Sequence, residues 1–235
     1  MLAAIHQLHY LPWLRYMEKI AHADVFVVLD DVQYTKNGFQ NRNRLKHAGG
    51  WMYLTVPVSA HLRQRLDQVE IADVRGWNES HWRATQYNYG RAAYFSHHAP
   101  ALAEIYRHRW GRLKDLNWEL LTYLCSALGI TTHLVRASTL GVGGEGTERL
   151  VEICRAVGAD AYYSGAFALE SYLDAHCLEE AGIELVIQEW RCPEYQQLFP
   201  ELGFIPDLSV VDLLLNEGPA ALGVLRSGAP ARVVA

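Results

Sequence analysis

The stretch Asp24-Val25-Phe26-Val27-Val28-Leu29 decides the fold of this chain. Branched and aromatic apolar residues favour a β-strand, and nothing in the run alternates with polar residues as in a half-exposed strand. A continuous apolar run is typical of a parallel strand that helices cover on both faces. The stretch therefore indicates a central strand of an α/β protein.

The residues before this strand complete a recognisable unit. Residues 2–5 form a short apolar run that predicts a buried strand, and a loop with Pro12 follows. Residues 14–23 show helical spacing, with Leu14, Met17 and Ile20 on one face. The opening thus predicts strand, loop, helix and strand, the unit of a doubly wound sheet.

The rest of the chain extends the same pattern after an irregular middle. Strands are predicted at residues 51–58, 69–71, 131–136, 161–164 and 183–189. Helices are predicted at residues 77–90, 99–109, 112–128, 147–157, 169–181 and 209–216. We expect a single α/β domain over residues 1–235 with a doubly wound, mainly parallel, Rossmann-like sheet of about five strands. Residues 76–128 are expected to be a helical cap or insertion within it.

Composition excludes several classes of protein. The net charge of −5 argues against a nucleic-acid partner, which normally meets a basic stripe. The four cysteines form no CxxC pair, so no metal site is predicted. The first residues lack the basic and apolar regions of a signal peptide, and no run approaches the ~20 apolar residues of a membrane span. We expect a cytoplasmic protein with no membrane partner.

Four motifs, in order along the chain, resemble one family. The first is His6-Gln7 with Tyr10-Leu11-Pro12-Trp13 and Tyr16; the second is residues 24–33 followed by Gln40-Asn41-Arg42-Asn43. The third is Thr147-Glu148-Arg149-Leu150 with Gly158-Ala159-Asp160 and Ser164-Gly165; the fourth is residues 205–214 with Asn216 and Gly218. The chain thus resembles the WbqC-like family of bacterial proteins. The resemblance implies a role in O-antigen or other polysaccharide biosynthesis. One departure is Ala166-Phe167-Ala168, where the family tends to continue with glycines.

His6 is the first candidate for chemistry. It lies just past the first strand and before a helix that begins near Trp13, with Gln7, His9 and Tyr10 beside it. Ligands bind at the carboxyl ends of strands in open α/β sheets, and helix N-termini favour anions. By analogy with nucleotidyltransferases and class I aminoacyl-tRNA synthetases, His6 can stabilise a phosphate during displacement. The alternative is a hydrogen-bonded histidine packed at the sheet edge.

An acidic pair follows the second strand as Asp30-Asp31, with Gln33 close behind. Such acids can hold Mg²⁺, bind a ribose or orient an amine. Their side chains point opposite ways in an extended segment, so one faces the site, and we favour Asp31. The alternative is a turn or capping aspartate.

Two further segments suit an anionic ligand. Asn41-Arg42-Asn43 places two amides around an arginine, which suits a phosphate or carboxylate with sugar hydroxyls nearby. Residues 141–149 form a glycine-rich loop that leads into a predicted helix with Thr147 as its N-cap. This loop is neither a phosphate-binding loop with Gly-Lys-Ser/Thr nor a dinucleotide fingerprint. A flexible loop with a good cap is the alternative.

Three remaining candidates lie further along the chain. His81 stands among tryptophans and tyrosines, which suits the wall of a sugar or nucleobase site or simply the core of a cap. Asp212 and Asn216 share one face of a helix and could close the site, or be solvated. Cys192, in a long loop, is the cysteine to test as a nucleophile.

Together these residues predict an enzyme, a transferase that moves an acyl or aminoacyl group to an amine. The resemblance to the WbqC-like family implies that the amine belongs to a nucleotide-linked sugar, such as an amino sugar. The alternatives are a nucleotidyltransferase that uses ATP or CTP, and a non-catalytic module that binds a sugar nucleotide or a partner. The predicted catalytic residues are His6, Asp31 and His81. The predicted substrate-binding residues are Gln7, Tyr10, Trp13, Asp30, Gln33, Asn41, Arg42, Asn43, Thr147, Glu148, Arg149, Ser164, Asp212 and Asn216. The cofactor is left open, with a nucleotide and Mg²⁺ as the candidate, and the partner is a small molecule, free or carrier-bound.

Overall fold

The computed structural model describes residues 1–228 and 232–233. Its strands are β1 (Leu2–Gln7), β2 (Val25–Leu29), β3 (Arg42–His47), β4 (Gly50–Thr55), β5 (Val58–Ser59), β6 (Glu70–Ile71), β7 (His133–Arg136), β8 (Ala161–Gly165), β9 (Glu184–Gln188) and β10 (Arg232–Val233). Its α-helices are α1 (Leu14–His22), α2 (Trp77–Tyr89), α3 (Phe95–Arg107), α4 (Leu113–Leu128), α5 (Gly146–Ala156), α6 (Ala166–Ser171), α7 (Ala175–Glu180), α8 (Val210–Glu217) and α9 (Ala221–Arg226). The frayed tail predicted from residue 227 falls partly outside these residues.

The central sheet has the strand order β10-β9-β8-β1-β2-β7. The five strands from β9 to β7 are all parallel, and β10 pairs with β9 in the antiparallel sense. The predicted α/β architecture with about five parallel strands is therefore confirmed. From β1 the chain first adds strands on one side, β2 and β7, and then on the other, β8 and β9.

Alternate residues of the sheet enter two separate cores, which explains the continuous apolar runs. Ala4, Phe26 and Val28 belong to a core shared with α1, α4 and α8. Ala3 and Val27 belong to the opposite core, which α5 and α7 cover. Both faces of β1 and β2 are therefore largely buried, which favours apolar residues on each face.

Helix α1 connects the first two strands as predicted. Its buried residues include Leu14, Met17 and Ile20, with Trp13 as its N-cap residue. The helix also buries Glu18 and Lys19, which an amphipathic pattern would leave in water. The burial of these two charged residues therefore requires a structural or functional explanation.

The irregular middle contains two small antiparallel pairs. The predicted pairing of residues 69–71 with the preceding strand is confirmed, since β6 pairs with β5. The single strand predicted over residues 51–58 is wrong: it is divided into β4 and β5, and Pro57 between them has no N–H for a ladder. The hairpin partner of β4 is β3, a strand that begins at Arg42.

Two helix predictions are also wrong in detail. The helix predicted over residues 169–181 is broken into α6 and α7, because the Asp174 carboxylate caps α7 by accepting the N–H groups of His176 and Cys177. Thr147 is not an N-cap: α5 begins at Gly146, with Glu145 in the cap position. The Thr147 hydroxyl instead accepts the backbone N–H of Asp174 at 2.9 Å.

Candidate functional site

A crevice of about 410 Å³ opens at the carboxyl ends of β1 and β8. It lies where the strand order reverses, which is the usual ligand position in open α/β sheets. The side chains that matter for its chemistry are those of His6, Arg15, Tyr16, Lys19, Ser164 and Gln188. Trp13 and Gly165 also line it, so three predicted residues, His6, Trp13 and Ser164, are brought together here.

His6 ends β1 and is held by rings and by the backbone. Its ring lies edge-on to His9 and to Tyr16, with centroid distances of 4.8 and 4.9 Å. Its Nδ1 lies 3.2 Å from the carbonyl oxygen of Gln7. Burial, followed by the proximity of His9 and Lys19, lowers the pKa of His6 well below its ordinary value. His6 is therefore neutral at pH 7 and able to accept a proton.

His9 and Tyr16 form a stacked pair behind His6, with ring centroids 4.9 Å apart. Burial lowers the pKa of His9 to about 3, so this ring is also neutral. The Nδ1 atom of His9 and the hydroxyl of Tyr16 are buried without a hydrogen-bond partner in the described part of the chain. Buried polar atoms in proteins normally have partners, so these two atoms indicate a place where a polar group can bind.

Lys19 is the least expected member of the site. Its side chain is only 7% exposed, and it forms no hydrogen bond or ion pair with any described residue. The amino group lies against Gly165, where a Cβ atom would be 3.8 Å from Nζ. Burial, reinforced by Arg15 and opposed by Glu18, lowers the pKa of Lys19 to about 8. An ammonium that is buried without a partner points to an anionic ligand.

Glu18 does not neutralise this lysine by direct contact. Both of its oxygens accept the hydroxyl of Tyr163 at 3.1 Å, and one also accepts the amide of Gln188. The same amide donates to the backbone oxygen of Arg15 at 2.9 Å, which ties β9 to α1. Burial raises the pKa of Glu18, and the hydrogen bonds from Gln188 and Tyr163 oppose that rise. Arg15 and Lys19, unlike Glu18, line the crevice itself.

Arg15 is the second cation of the crevice. Its guanidinium donates to the backbone oxygen of Trp190 at 2.7 Å and lies 5.4 Å from the centre of that indole ring. Arg15 and Lys19 are four residues apart, so they lie on one face of α1. This spacing, just after the strand that carries His6, is the signal that could have identified both residues from the sequence.

The predicted acidic pair lies at the end of β2 and is engaged with other parts of the chain. Asp30 is buried and accepts the backbone N–H of Ser138 at 3.0 Å and its hydroxyl at 2.6 Å. Asp31 accepts both of its hydrogen bonds from Arg149, at 2.6 and 2.7 Å. The two predicted residues Asp31 and Arg149 are thus brought together as a partly buried ion pair. Neither acid lines the crevice.

Substituting Asp30 by alanine is expected to lower the free energy of unfolding by about 1–3 kcal/mol, because the backbone N–H and the hydroxyl of Ser138 both lose their buried acceptor. Urea denaturation of the purified variant measures this change. Ser138→Ala, which removes only the hydroxyl, should have a smaller effect. Equal effects of the two substitutions would show that the backbone contact contributes nothing.

The predicted amide cluster stabilises backbone rather than facing the crevice. Asn43 is fully buried and donates to the backbone oxygen of Leu11 at 2.8 Å. Asn41 donates to the backbone oxygen of Val56 at 2.9 Å. Gln7 accepts the side-chain amide of Gln40 at 3.0 Å. These contacts fix the loop between His6 and α1 against the β3–β4 hairpin.

Arg42 and Gln33 lie near this cluster but away from the crevice. The guanidinium of Arg42 packs over the ring of Tyr53, 4.4 Å from its centre, and donates to the backbone oxygen of Asn37. Gln33 is exposed, and its backbone forms an isolated bridge with Arg65. The structure therefore separates these two predicted residues from His6.

Tyr10 and His81 meet in the interior beside the helical segment. The hydroxyl of Tyr10 lies 2.8 Å from Nδ1 of His81 and 2.6 Å from the hydroxyl of Tyr106. Burial lowers the pKa of His81 to about 4 and raises that of Tyr106. His81 is thus brought to the predicted Tyr10, on the loop that follows β1, but does not line the crevice.

Asp212 and Asn216 belong to another buried network. The carboxylate of Asp212 is fully buried and accepts the hydroxyls of Tyr89 and Tyr195, each at 2.7 Å. Asn216 donates to the backbone oxygen of Asp212 at 2.8 Å. The buried Lys46 lies close enough to lower the pKa of Asp212, against the larger raising effect of burial. Neither predicted residue touches the crevice.

The last candidates are Glu148 and Cys192. Glu148 is exposed in the first turn of α5, where it suits the helix dipole. Burial raises the pKa of Cys192, which disfavours the thiolate that a nucleophile needs.

Over residues 1–228 and 232–233, no group of three or more His, Cys, Asp or Glu side chains could hold a metal ion. Within the same residues, every helix is too short or too polar to cross a membrane.

Comparison with known proteins covers nearly the whole chain. The model described as the WbqC-like protein family matches residues 7–224, which include every predicted site residue except His6. The uncharacterized protein Rv1507c of Mycobacterium tuberculosis is 39% identical over 227 residues, or 95% of this chain and 96% of the relative. No solved structure matches the chain.

Proposed function

The chain belongs to the WbqC-like protein family, and from this premise we propose that it is a transferase that moves an acyl or aminoacyl group to the amine of a small molecule. The acceptor that fits polysaccharide biosynthesis is a nucleotide-linked amino sugar. The crevice between β1 and β8 is the active site. It holds the anionic part of the activated donor.

One observation carries this proposal: the mostly buried Lys19 faces the crevice next to a neutral histidine and forms no ion pair. Lys19 has no hydrogen bond or ion pair with a described residue, and Arg15 adds a second positive charge. Burying an unpaired charge costs stability, and a phosphate or carboxylate of the donor would offset that cost. The charge of the crevice thus selects an anionic ligand.

The neutral side chain of His6 takes part in the chemical step. In acyl transfer, the amine nitrogen attacks the carbonyl carbon, a C–N bond forms, and the bond to the leaving group breaks. The proton that the amine loses passes to His6, which is neutral at pH 7 and can act as general base. Lys19 stabilises negative charge on the carbonyl oxygen or on the departing group. Ser164, at the end of β8, lies within the same crevice and can orient either substrate.

Nucleotidyl transfer is the second candidate, and the strand order favours it. The order β7-β2-β1-β8-β9 places the reversal between β1 and β8, as in sheets that bind mononucleotides. A triphosphate would occupy the same cations, with Mg²⁺ supplied with the nucleotide. The non-catalytic alternative predicts the same ligand without turnover.

We also propose that the helical segment of residues 76–128 acts as a cap. Its support is the buried contact of Tyr10 with His81 and Tyr106, which joins this segment to the loop after His6. A ligand that moves this loop would therefore also displace the helices of residues 76–128.

The proposal is tested by a turnover screen with mass-spectrometric detection. Acyl and aminoacyl donors are paired with nucleotide-linked amino sugars, and nucleoside triphosphates are tested with and without Mg²⁺. An amide product supports the proposed transfer. Release of pyrophosphate that requires Mg²⁺ supports nucleotidyl transfer instead. Binding of a donor without any product would support the non-catalytic module.

His6→Ala is expected to lower kcat about 10²–10⁴-fold, which is the usual contribution of a general base. Wild-type activity should fall as the pH rises through about 8, where Lys19 loses its proton. Because the pKa of His6 lies well below 6.5, activity should fall on the acid side only below pH 6.5. A pH profile of kcat measures both limbs. An acid-side fall centred at or above pH 6.5 would contradict the role of His6, as would unchanged turnover in His6→Ala.

A further inference from the structure

A second cleft, of about 800 Å³, lies in the helical segment between the start of α2 and the end of α3. It shares no lining residue with the crevice between β1 and β8. Its volume falls in the range of about 300–1,000 Å³ that is usual for small-molecule sites. None of the four sequence motifs contributes to its lining.

Aromatic rings form the walls of this cleft. Trp77, Trp82 and Trp110 line it while half-buried, with Tyr106 at its inner side. Trp110 is fixed by the hydrogen bond from its indole N–H to the backbone oxygen of Ile105, at 2.8 Å. Trp82 stacks on both Phe95 and Tyr106, with interplanar angles of 14° and 27°, and so supports the wall. Trp77 and Trp110 are the lining indoles that can pack against the flat apolar face of a sugar ring or a nucleobase.

Two of the arginines that line the cleft are free to bind an anion. Arg75 and Arg109 are exposed, and neither forms a hydrogen bond or ion pair with a described residue. Arg107, by contrast, is paired with Glu104. Among the acidic residues of the lining, Asp73 lacks a partner in the described chain. The lining therefore has two free guanidinium groups and one free carboxylate. Guanidinium groups bind phosphate through paired N–H donors.

We propose that this cleft is a second ligand site, for a phosphorylated molecule with a flat apolar ring, of the class of nucleotide-linked sugars. The tryptophans hold the ring, and Arg75 and Arg109 hold the phosphate. The cleft has this chemistry whatever reaction the crevice performs. Since Tyr106 lines the cleft and its hydroxyl meets that of Tyr10, the site is joined to the loop after β1.

The test is a titration with UDP-N-acetylglucosamine, followed by tryptophan fluorescence and by calorimetry. The full chain should bind the probe, and the double variant Arg75→Ala/Arg109→Ala should bind it at least about tenfold more weakly, because charge-assisted hydrogen bonds are lost. Trp77→Ala should weaken binding as well. Titrations with UDP alone and with N-acetylglucosamine alone show which ring the tryptophans hold. Both arginines are exposed, so the double variant should fold normally, which circular dichroism checks.

Two control variants make the result specific. Arg91→Ala removes the same charge from an exposed position outside the cleft and should leave binding unchanged. The titrations are repeated in the Lys19→Met background, where the crevice binds pyrophosphate weakly, and the cleft variants should still weaken binding of the probe there. The proposal is overturned if none of the three probes binds at millimolar concentration, or if Arg91→Ala weakens binding as much as the cleft variants. It is also overturned if binding is lost in Lys19→Met and kept in the cleft variants, and the crevice would then be the sugar-nucleotide site.

Discussion

Lys19→Met is expected to abolish most anion binding in the crevice and, at the same time, to make the protein more stable. The ammonium is buried and has no partner among the described residues, so it destabilises the empty fold. Methionine fills similar space without a charge, and we expect the free energy of unfolding to rise by about 1–3 kcal/mol. A charge-assisted hydrogen bond contributes about 1.5–3 kcal/mol, so affinity for pyrophosphate should fall roughly 10- to 100-fold.

The pH dependence of stability offers a separate check on this lysine. Its pKa is about 8 in the folded protein and 10.5 as an ordinary lysine, so between these values the unfolded chain binds more protons. Stability of the wild type should therefore rise between pH 8 and pH 10.5 relative to Lys19→Met, by about 3 kcal/mol. Below pH 8 the difference between the two proteins should be constant.

Both effects are measured on purified protein, by calorimetric titration with pyrophosphate and by urea denaturation across this pH range. Lys36→Met is the matched control, because Lys36 is exposed and lies outside the crevice. It should change neither quantity beyond about 0.5 kcal/mol. Unchanged pyrophosphate binding in Lys19→Met, or a loss of stability, would show that the ammonium is not an unpaired anion ligand.

Asp212→Ala is expected to lower the free energy of unfolding by about 3–5 kcal/mol, the range for breaking a buried charged network. The substitution leaves the buried hydroxyls of Tyr89 and Tyr195 without their acceptor. Lys46, which is fully buried, also loses the nearby buried carboxylate of Asp212. Urea denaturation at constant pH measures the loss.

Two comparisons show whether the network is the cause. Asn216→Ala removes one hydrogen bond to the backbone of Asp212 and should cost about 1 kcal/mol. Adding Lys46→Met to Asp212→Ala should recover part of the stability, because the second substitution removes the uncompensated charge. Additive losses in the double variant would argue that Lys46 and Asp212 do not interact. A large loss of substrate binding without loss of stability would instead return Asp212 to the active site.

The sequence predicts the sheet well because a strand that is buried on both faces appears as a continuous apolar run. The run from Asp24 to Leu29 could be read as a strand since each side chain must enter an apolar core. Strand β3 has no such signal, because Arg42 and Arg44 stack on aromatic rings of β4 instead of entering a core. A stacked arginine and a solvated one look alike in a sequence.

The candidate site is harder to predict for a related reason. Asp30 and Asp31 find their partners 108 and 118 residues away, in segments that the sequence alone cannot place beside them. In the sequence, Lys19 looks like an ordinary charged residue of an amphipathic helix. Its burial depends on β8 and β9, which come later in the chain and fold against α1. His6 was accessible to prediction because its position depends on a local unit of strand, loop and helix.

The position of β1 in the middle of the sheet also has a consequence for how the chain is made. β1 is synthesised well before its neighbour β8, which pairs Leu2 with Ala161, so that contact must wait for all the residues between them. Until then one edge of β1 is open to pairing with another chain, a known route to aggregation. A nascent chain released from the ribosome before residue 165 would therefore lack the crevice, and it would carry an apolar strand edge for chaperones to shield.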